Sequence, residues 1–246
     1  RSQILKGVKL MTDLTVDLLE KINNSFTLSY QESKSIKRLL EAIEKKTVSY
    51  EEAKMYAETI GRMLVEALNK HITADILPDE KMYFNIAEKI LEPTMKNNYS
   101  LISEYAKDVQ EILNLKADVN IKAVKPKFNE KKLKTLISRI SNAEDFEHAK
   151  RFWNEPVITN AISIVDDTAK ENAQLHLDLG LRPVIVRKAA SNCCKWCSNL
   201  GGTYLYSPKM NTDVFKRHSR CKCSVIYDPK NNKVQDVHSR AWYMKK

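Results

Sequence analysis

All five cysteines of this 246-residue chain lie in one short segment, between Cys193 and Cys223. A disulfide framework normally links distant parts of a chain, and an odd number of thiols leaves one unpaired. A chain of this length can also bury a sizeable core without covalent links. The cysteines therefore indicate a local metal site near the C-terminus rather than a disulfide-stabilised fold.

The spacing of these thiols and of one histidine is typical of a tetrahedral zinc site. Cys194-x-x-Cys197 is followed, after twenty residues, by His218-x-x-Cys221-x-Cys223. Two residues between thiols let a tight turn direct both sulfurs at one ion, and a second chelating group completes the coordination. We predict Cys194, Cys197, His218 and Cys221 as zinc ligands, with Cys223 as the main substitute, chiefly for His218. A closed site of four protein ligands stabilises structure rather than performing hydrolysis.

Other interpretations of these residues stay open at this stage. The thiols are compatible with a reduced cluster of small apolar side chains, or with a thiol relay that uses Cys194 or Cys197 as nucleophile, because redox pairs have the same spacing. The sequence shows no clear strand-then-helix context for such a relay. His238, close to Asp236, is the candidate acid–base group of a nuclease.

The first half of the chain has apolar side chains at three- to four-residue spacing, which predicts successive amphipathic helices. The first is predicted over residues 4–22 and the second over residues 33–46. A third begins at Ser49, which forms a capping box with Glu52. Pro93 is expected to break or kink a later helix. No stretch of about 18 apolar residues is present, so no membrane span is expected.

Residues 116–127 alternate charged and apolar side chains and suit an extended connector. We place the main boundary there, with a helical assembly region over residues 1–127 and a second region over residues 128–246. The second region is predicted to continue with a helix from Asn129, followed by a capping box of Ser141 and Glu144.

The C-terminal region changes in character after one more long helix. That helix is predicted over residues 158–179 and ends at Gly180, which readily takes a left-handed cap. Short β-prone runs follow at residues 183–187, 203–206 and 224–227. The predicted fold class is α+β and predominantly helical, with a small zinc-stabilised α+β module at the C-terminal end.

The net charge of +10 is concentrated in the last third of the chain. From Leu181 onward there are 14 basic and three acidic residues, whereas basic and acidic residues nearly balance before it. A concentrated positive field attracts nucleic acid phosphates, an anionic membrane or an acidic protein surface, and nucleic acid is the commonest of the three for a soluble module. A solvated basic rim is the alternative interpretation. The predicted phosphate contacts are the cations interleaved with the metal ligands, namely Lys195, Lys216, Arg217, Arg220 and Lys222.

The order of motifs in the C-terminal third resembles the Mu F-like family of phage minor head, or head-morphogenesis, proteins. The resemblance is carried by Arg187, by Cys194-Lys-Trp-Cys197, by Leu200-Gly-Gly-Thr-Tyr204 and by His218-Ser-Arg-Cys-Lys-Cys223. Ser219 stands where the family usually has Pro, and Cys193 is additional.

The resemblance implies a structural, non-catalytic minor capsid component. Such a protein would associate with the portal and with other capsid components, contact packaged double-stranded DNA without sequence specificity, and reside in the virion after assembly in the bacterial cytoplasm. A zinc-stabilised nucleic-acid-binding regulator is the main alternative, and a nuclease or thiol enzyme is the next.

Overall fold

The computed structural model describes the backbone of residues 2–229 and the side chains from residue 14 onward. This part of the chain is predominantly helical and carries one small antiparallel sheet. The helices are α1 (Ser2–Glu32), α2 (Lys34–Glu44), α3 (Tyr50–His71), α4 (Phe84–Lys116), α5 (Glu130–Ser141), α6 (Phe146–Asp178) and α7 (Lys195–Asn199). The strands are β1 (Val184–Lys188), β2 (Gly202–Leu205) and β3 (Ser224–Tyr227). Three short 3₁₀ segments cover Ala74–Ile76, Pro78–Glu80 and Thr212–Phe215.

The predicted starts of α2 and α3 are confirmed, because local hydrogen bonds determine both. The Ser33 hydroxyl accepts from the backbone N–H of Ile36 at the start of α2. Ser49 and Glu52 form the predicted capping box at α3, and the backbone N–H of Ser49 donates to the Glu52 carboxylate at 2.9 Å. Each cap satisfies N–H groups that the helix itself leaves unpaired.

Two local predictions about the helices differ from the structure. Of the expected break or kink at Pro93, the break is absent, because α4 runs through this residue from Phe84 to Lys116. The predicted capping box at Ser141 is absent: Ser141 ends α5, and Asp145 caps α6 by accepting from the backbone N–H of His148 at 2.8 Å. α6 therefore starts well before residue 158 and continues through Pro156. Tertiary packing of long buried faces outweighs the cost of an internal proline, which local patterns cannot show.

A single cluster of buried apolar side chains contains residues from both sides of position 127. Its centre is the contact of α3 with α6, where Gly61 approaches Ile158 and Ala161. Trp153 is fully buried there and donates its indole N–H to Asn69 Oδ1 at 2.9 Å. Farther along α6, Gln174 and His176 near its C-terminal end contact the C-terminal sheet region.

The sheet has the order β2-β1-β3 and all its pairs are antiparallel. The three predicted strand runs are confirmed, with Gly180 in the expected left-handed conformation (φ 91°) after α6. The sheet packs on α6, where Tyr227 is hydrogen-bonded to His176 Nδ1 at 2.6 Å. It also contacts α3, where Lys188 pairs with Glu51 at 2.9 Å. Within residues 2–229, no helix has the length and apolarity that crossing a membrane requires.

We expect Gly61→Val to lower the free energy of unfolding by about 1–3 kcal/mol, because overpacking a tight core contact has a cost of this size. A Cβ at position 61 would lie 3.0 Å from Cβ of Ala161 and 3.0 Å from the backbone Cα of Ile158. Urea denaturation measures the change. Met55→Val, at an exposed position of α3, controls for the helix propensity of Val and should stay within about 0.5 kcal/mol. Equal losses in both variants would contradict the close helix contact.

Candidate metal centre

Three segments of the C-terminal region bring the potential ligands together. Cys194 caps the five-residue helix α7, and Cys197 lies within it. His218 and Cys221 lie in a tight turn, closed by a hydrogen bond from the Cys221 N–H to the His218 carbonyl at 3.2 Å. Cys223 directly precedes β3. The antiparallel pairing of β1 with β3 places this turn beside α7, since α7 follows shortly after β1.

The donor atoms form two groups that share Cys197. One group is Cys194, Cys197 and His218, the other is Cys197, Cys221 and Cys223, and within each group the donor atoms lie within 4.8 Å of one another. The Cys197 sulfur lies 3.1 Å from His218 Nε2 and 3.6 Å from the Cys221 sulfur. The Cys194 sulfur lies 3.4 Å from the same His218 nitrogen. The five cysteines are all free thiols, so this cluster can hold a metal ion.

These separations fit tetrahedral coordination by thiolate and imidazole. Zn–S and Zn–N bonds of about 2.3 and 2.0 Å at a tetrahedral angle place two sulfurs about 3.8 Å apart, and a sulfur and a nitrogen about 3.5 Å apart. The Cys194–His218, Cys197–His218 and Cys197–Cys221 distances differ from these values by a few tenths of an ångström. Cys194, Cys197, His218 and Cys221 do not form one group whose donor atoms all lie within 4.8 Å of one another. Soft thiolate donors with one imidazole favour zinc over the hard cations that prefer oxygen.

The tautomer of His218 is set by its neighbour. Its Nδ1–H donates to the backbone carbonyl of Ser219 at 2.6 Å, and a carbonyl oxygen can only accept. In the neutral ring the other nitrogen, Nε2, therefore carries the lone pair, and it faces the sulfurs of Cys194 and Cys197. A hydrogen bond of this kind is the usual means by which a protein orients a metal-binding imidazole.

Burial separates the pKa values of the thiols. Desolvation raises the pKa of Cys197, which is fully buried, to about 12. The pKa of the exposed Cys194 is lowered from its usual value, chiefly because the backbone N–H of Cys197 donates a hydrogen bond to its sulfur. Burial raises the pKa of Cys223, but hydrogen bonds from the Ala190 N–H and from neighbouring thiols outweigh it, and the net shift is downward.

Arg187 is a functional residue that the metal-site prediction omitted. Its side chain is 1% exposed, and one guanidinium nitrogen lies 3.6 Å from the Cys197 sulfur and 3.8 Å from the Cys221 sulfur. A second nitrogen donates to the backbone carbonyls of Val214 and Lys216. The guanidinium therefore supplies positive charge to the thiols and holds the chain before His218. The sequence contained one signal for this role. Side chains alternate between the two faces of a strand, and Arg187 lies on the same face of β1 as the buried Ile185.

Arg217 does not belong to the surface, contrary to the prediction that it contacts phosphate. Its side chain is 2% exposed and forms a bidentate ion pair with Asp166 of α6, itself 1% exposed. The same guanidinium donates to the carbonyl of Cys223 at 2.7 Å and to that of Cys221 at 3.4 Å. Arg217 is thus a structural residue, because its guanidinium binds Asp166 of α6 and the backbone of residues 221–223, which belong to the loop of residues 216–223 that we call the metal loop.

The remaining predicted phosphate contacts lie at the surface. Lys195, Arg220 and Lys222 are exposed around the cluster, and Arg220 reaches Glu155 only at 4.0 Å. Lys216 is exposed but pairs with Asp213 at 2.7 Å. Three of the five predicted cations are therefore free of close ion pairs within the described part of the chain.

Three other histidines lie apart from the cluster. His71 is hydrogen-bonded to Ser25 at 2.6 Å, and His148 pairs with the capping residue Asp145 at 2.8 Å. His176 is buried, and its burial lowers the pKa to about 4. The nuclease candidates His238 and Asp236 lie outside the described residues.

Comparisons with protein-family models, with curated protein sequences and with solved structures found no match to this chain. The function is therefore argued below from the residues of the site and their geometry.

We expect Asp166→Asn to destabilise the protein by about 3–5 kcal/mol, because it leaves a buried guanidinium without its counter-charge. The neighbouring substitution Asp167→Asn is a matched control. Asp167 is 37% exposed and approaches Lys132 only at 3.8 Å. Asp167→Asn should therefore lower the free energy of unfolding by less than about 1 kcal/mol. Chemical denaturation of both variants measures the difference. Similar losses would mean that the Arg217 pair does not anchor the metal loop.

We expect the purified protein to carry about one equivalent of metal per chain, and Cys197→Ser to lose it, because Cys197 is common to both donor groups. Elemental analysis of both proteins gives the stoichiometry. Cys193→Ser is the matched control, since Cys193 belongs to neither group, and it should retain the ion. A folded, metal-free wild-type protein would contradict a metal centre here.

Proposed function

We propose that this chain is a structural minor capsid protein of the phage head-morphogenesis type, in which a zinc ion shapes a basic C-terminal module that contacts packaged DNA. One observation carries the proposal. The separate motifs that resemble the Mu F-like family, Cys194-x-x-Cys197 and His218-x-x-Cys221-x-Cys223, converge on one cluster with Arg187 buried beneath it. This convergence of residues that are far apart in the chain supports the proposal.

In this proposal the ion is structural. Cys197 binds it together with three of the four remaining donors, which are Cys194 and His218 of one group and Cys221 and Cys223 of the other. Four protein ligands leave no position for an activated water, so the proposal assigns no hydrolytic activity. The zinc ion would supply charge that compensates the thiolates, while Arg187 and Arg217 compensate the remainder.

The proposed DNA contacts are Lys195, Arg220 and Lys222, which surround the cluster and are exposed. Trp196 lies among them and is 39% exposed. The Arg187 guanidinium lies over its ring, 5.5 Å from the centroid, and the ring of His218 packs edge-on against it. Contacts of this kind bind the phosphate backbone and carry no sequence information. Binding should therefore be indifferent to sequence, as packaged DNA requires.

A thiol-exchange enzyme is the second candidate, favoured by one observation: Cys194 is exposed and caps a helix that follows a strand. The sequence had shown no such context. In this candidate the Cys194 thiolate would attack a substrate disulfide and displace one substrate thiolate, and Cys197 would then attack the mixed disulfide and displace the second. The protein would be left with a Cys194–Cys197 disulfide, which an external dithiol would reduce before the next turnover. Turnover of a disulfide substrate that Cys197→Ser abolishes in a folded protein would favour it over the structural role.

We expect Lys195→Glu/Lys222→Glu to weaken binding to random-sequence duplex DNA. Removal of each cation that binds a phosphate should reduce the slope of log K against log salt by about 0.9. Fluorescence anisotropy over a salt series measures both the affinity and the slope. Lys34→Glu/Arg38→Glu, at exposed positions of α2, makes the same change in net charge and should retain the wild-type slope. If both double variants lost DNA affinity equally, the cause would be the net charge of the protein and not contacts at Lys195 and Lys222.

The capsid assignment has its own test. We expect the gene to lie beside portal, terminase and scaffold genes, and the protein to be present in purified capsids by mass spectrometry. Its absence from capsids, or a footprint on one defined DNA sequence, would instead favour a cellular regulator.

A further inference from the structure

A long groove runs between α5 and α6 and ends at the loop that carries the metal ligands. Its volume is about 770 Å³. The α5 wall extends from Asn129 to Arg139 and the α6 wall from Phe152 to Lys170, which correspond to about 15 and 27 Å of helix. Ser219 and Arg217 line the far end. The dimensions suit an elongated ligand better than a compact one.

The floor of the groove is apolar and mainly aliphatic. Leu133, Leu136 and Phe215 form it and retain 6%, 9% and 7% exposure, while Phe152 and Pro156 of α6 are half-buried on the wall. Apolar side chains from a ligand could extend the hydrophobic core at this point. Leu133 and Leu136 lie one turn apart on α5, and an amphipathic helix can place apolar side chains against them from i, i+3, i+4 and i+7.

The rim of the groove is strongly basic. Lys131, Lys132, Arg139, Lys170 and Lys216 line it, against the single carboxylate of Asp167. Of these cations, Lys132 lies near Asp167 at 3.8 Å and Lys216 pairs with Asp213. Lys131, Arg139 and Lys170 form no salt bridge within the described part of the chain. Three cations thus stand unpaired above an apolar floor.

We propose that this groove is the docking site for an acidic amphipathic helix of a partner protein. Carboxylates along the edges of such a helix would meet the rim cations, and its apolar stripe would cover the floor. Duplex DNA would reach the rim but leave the floor in contact with water. Stacked bases also fit poorly, because Phe215 packs edge-on against Tyr206 (ring centroids 6.2 Å apart, 74° between planes) and is almost fully buried. The inference depends on neither the metal nor the DNA proposal.

The probe is a synthetic peptide that forms an amphipathic helix with Glu on its polar face and Leu at i, i+3, i+4 and i+7. It is compared with a scrambled peptide of the same composition, whose charge is equal but whose apolar stripe is absent. Titration calorimetry against the full chain should show the designed peptide binding at least about tenfold more tightly. Hydrogen exchange should show protection of α5 and the middle of α6.

Charge reversal at the rim supplies the decisive comparison. Lys131→Glu/Arg139→Glu should weaken binding of the designed peptide by about tenfold or more and leave DNA binding unchanged. The matched variant Lys195→Glu/Lys222→Glu, outside the groove, should bind the peptide like the wild type. Thr159→Trp, which fills the groove without changing charge, should also weaken peptide binding.

Three results would overturn the inference. The first is equal affinity for the designed and scrambled peptides, which would mean that binding comes only from attraction between charges and not from the apolar floor. The second is unchanged peptide affinity in Lys131→Glu/Arg139→Glu or in Thr159→Trp. The third is loss of DNA binding in Lys131→Glu/Arg139→Glu with displacement of the peptide by duplex DNA, which would make the groove a nucleic acid surface.

Discussion

The buried ion pair between Arg217 and Asp166 is the contact on which the C-terminal module depends. Two desolvated charges are stable only when their geometry is bidentate and the remaining donors are satisfied. Here the third guanidinium nitrogen donates to the carbonyl of Cys223 at 2.7 Å, so the pair holds the backbone of the metal loop as well as α6. Because Asp166 lies in the middle of the longest buried helix face, the loop takes its position from the helical core and not from its own short strands.

Charge compensation explains why two arginines lie so close to the thiols. One divalent ion held by three or four thiolates would leave a net negative cluster, and burying such a cluster requires further positive charge nearby. Arg187 reaches the sulfurs of Cys197 and Cys221 from β1, and Arg217 also reaches the sulfur of Cys221. These guanidiniums supply positive charge beside the thiols. The burial of Arg217 also removes one cation from the predicted phosphate contacts.

The basic character of the last third is therefore divided among different tasks. Buried arginines stabilise the cluster, exposed lysines around α7 face solvent, and Lys216 contributes to the rim of a groove whose other cations come from α5 and α6. The two surfaces differ in what lies between their charges. Around the cluster there are polar groups and one half-exposed tryptophan, whereas the groove has an aliphatic floor. A polyanion suits the first surface, and an acidic segment with an apolar face suits the second.

Local chemistry in the sequence determined much of the fold and of the candidate site. The Ser49–Glu52 capping box, the left-handed Gly180 and the three β-prone runs depend on neighbouring residues alone, and the Cys and His spacing brought out all five donors of the cluster. Tertiary structure decided the rest. It carried α4 and α6 through their prolines, since burial of long apolar faces outweighs one missing hydrogen bond. It also turned Arg217 inward, because only the folded chain places Asp166, fifty-one residues away, beside it.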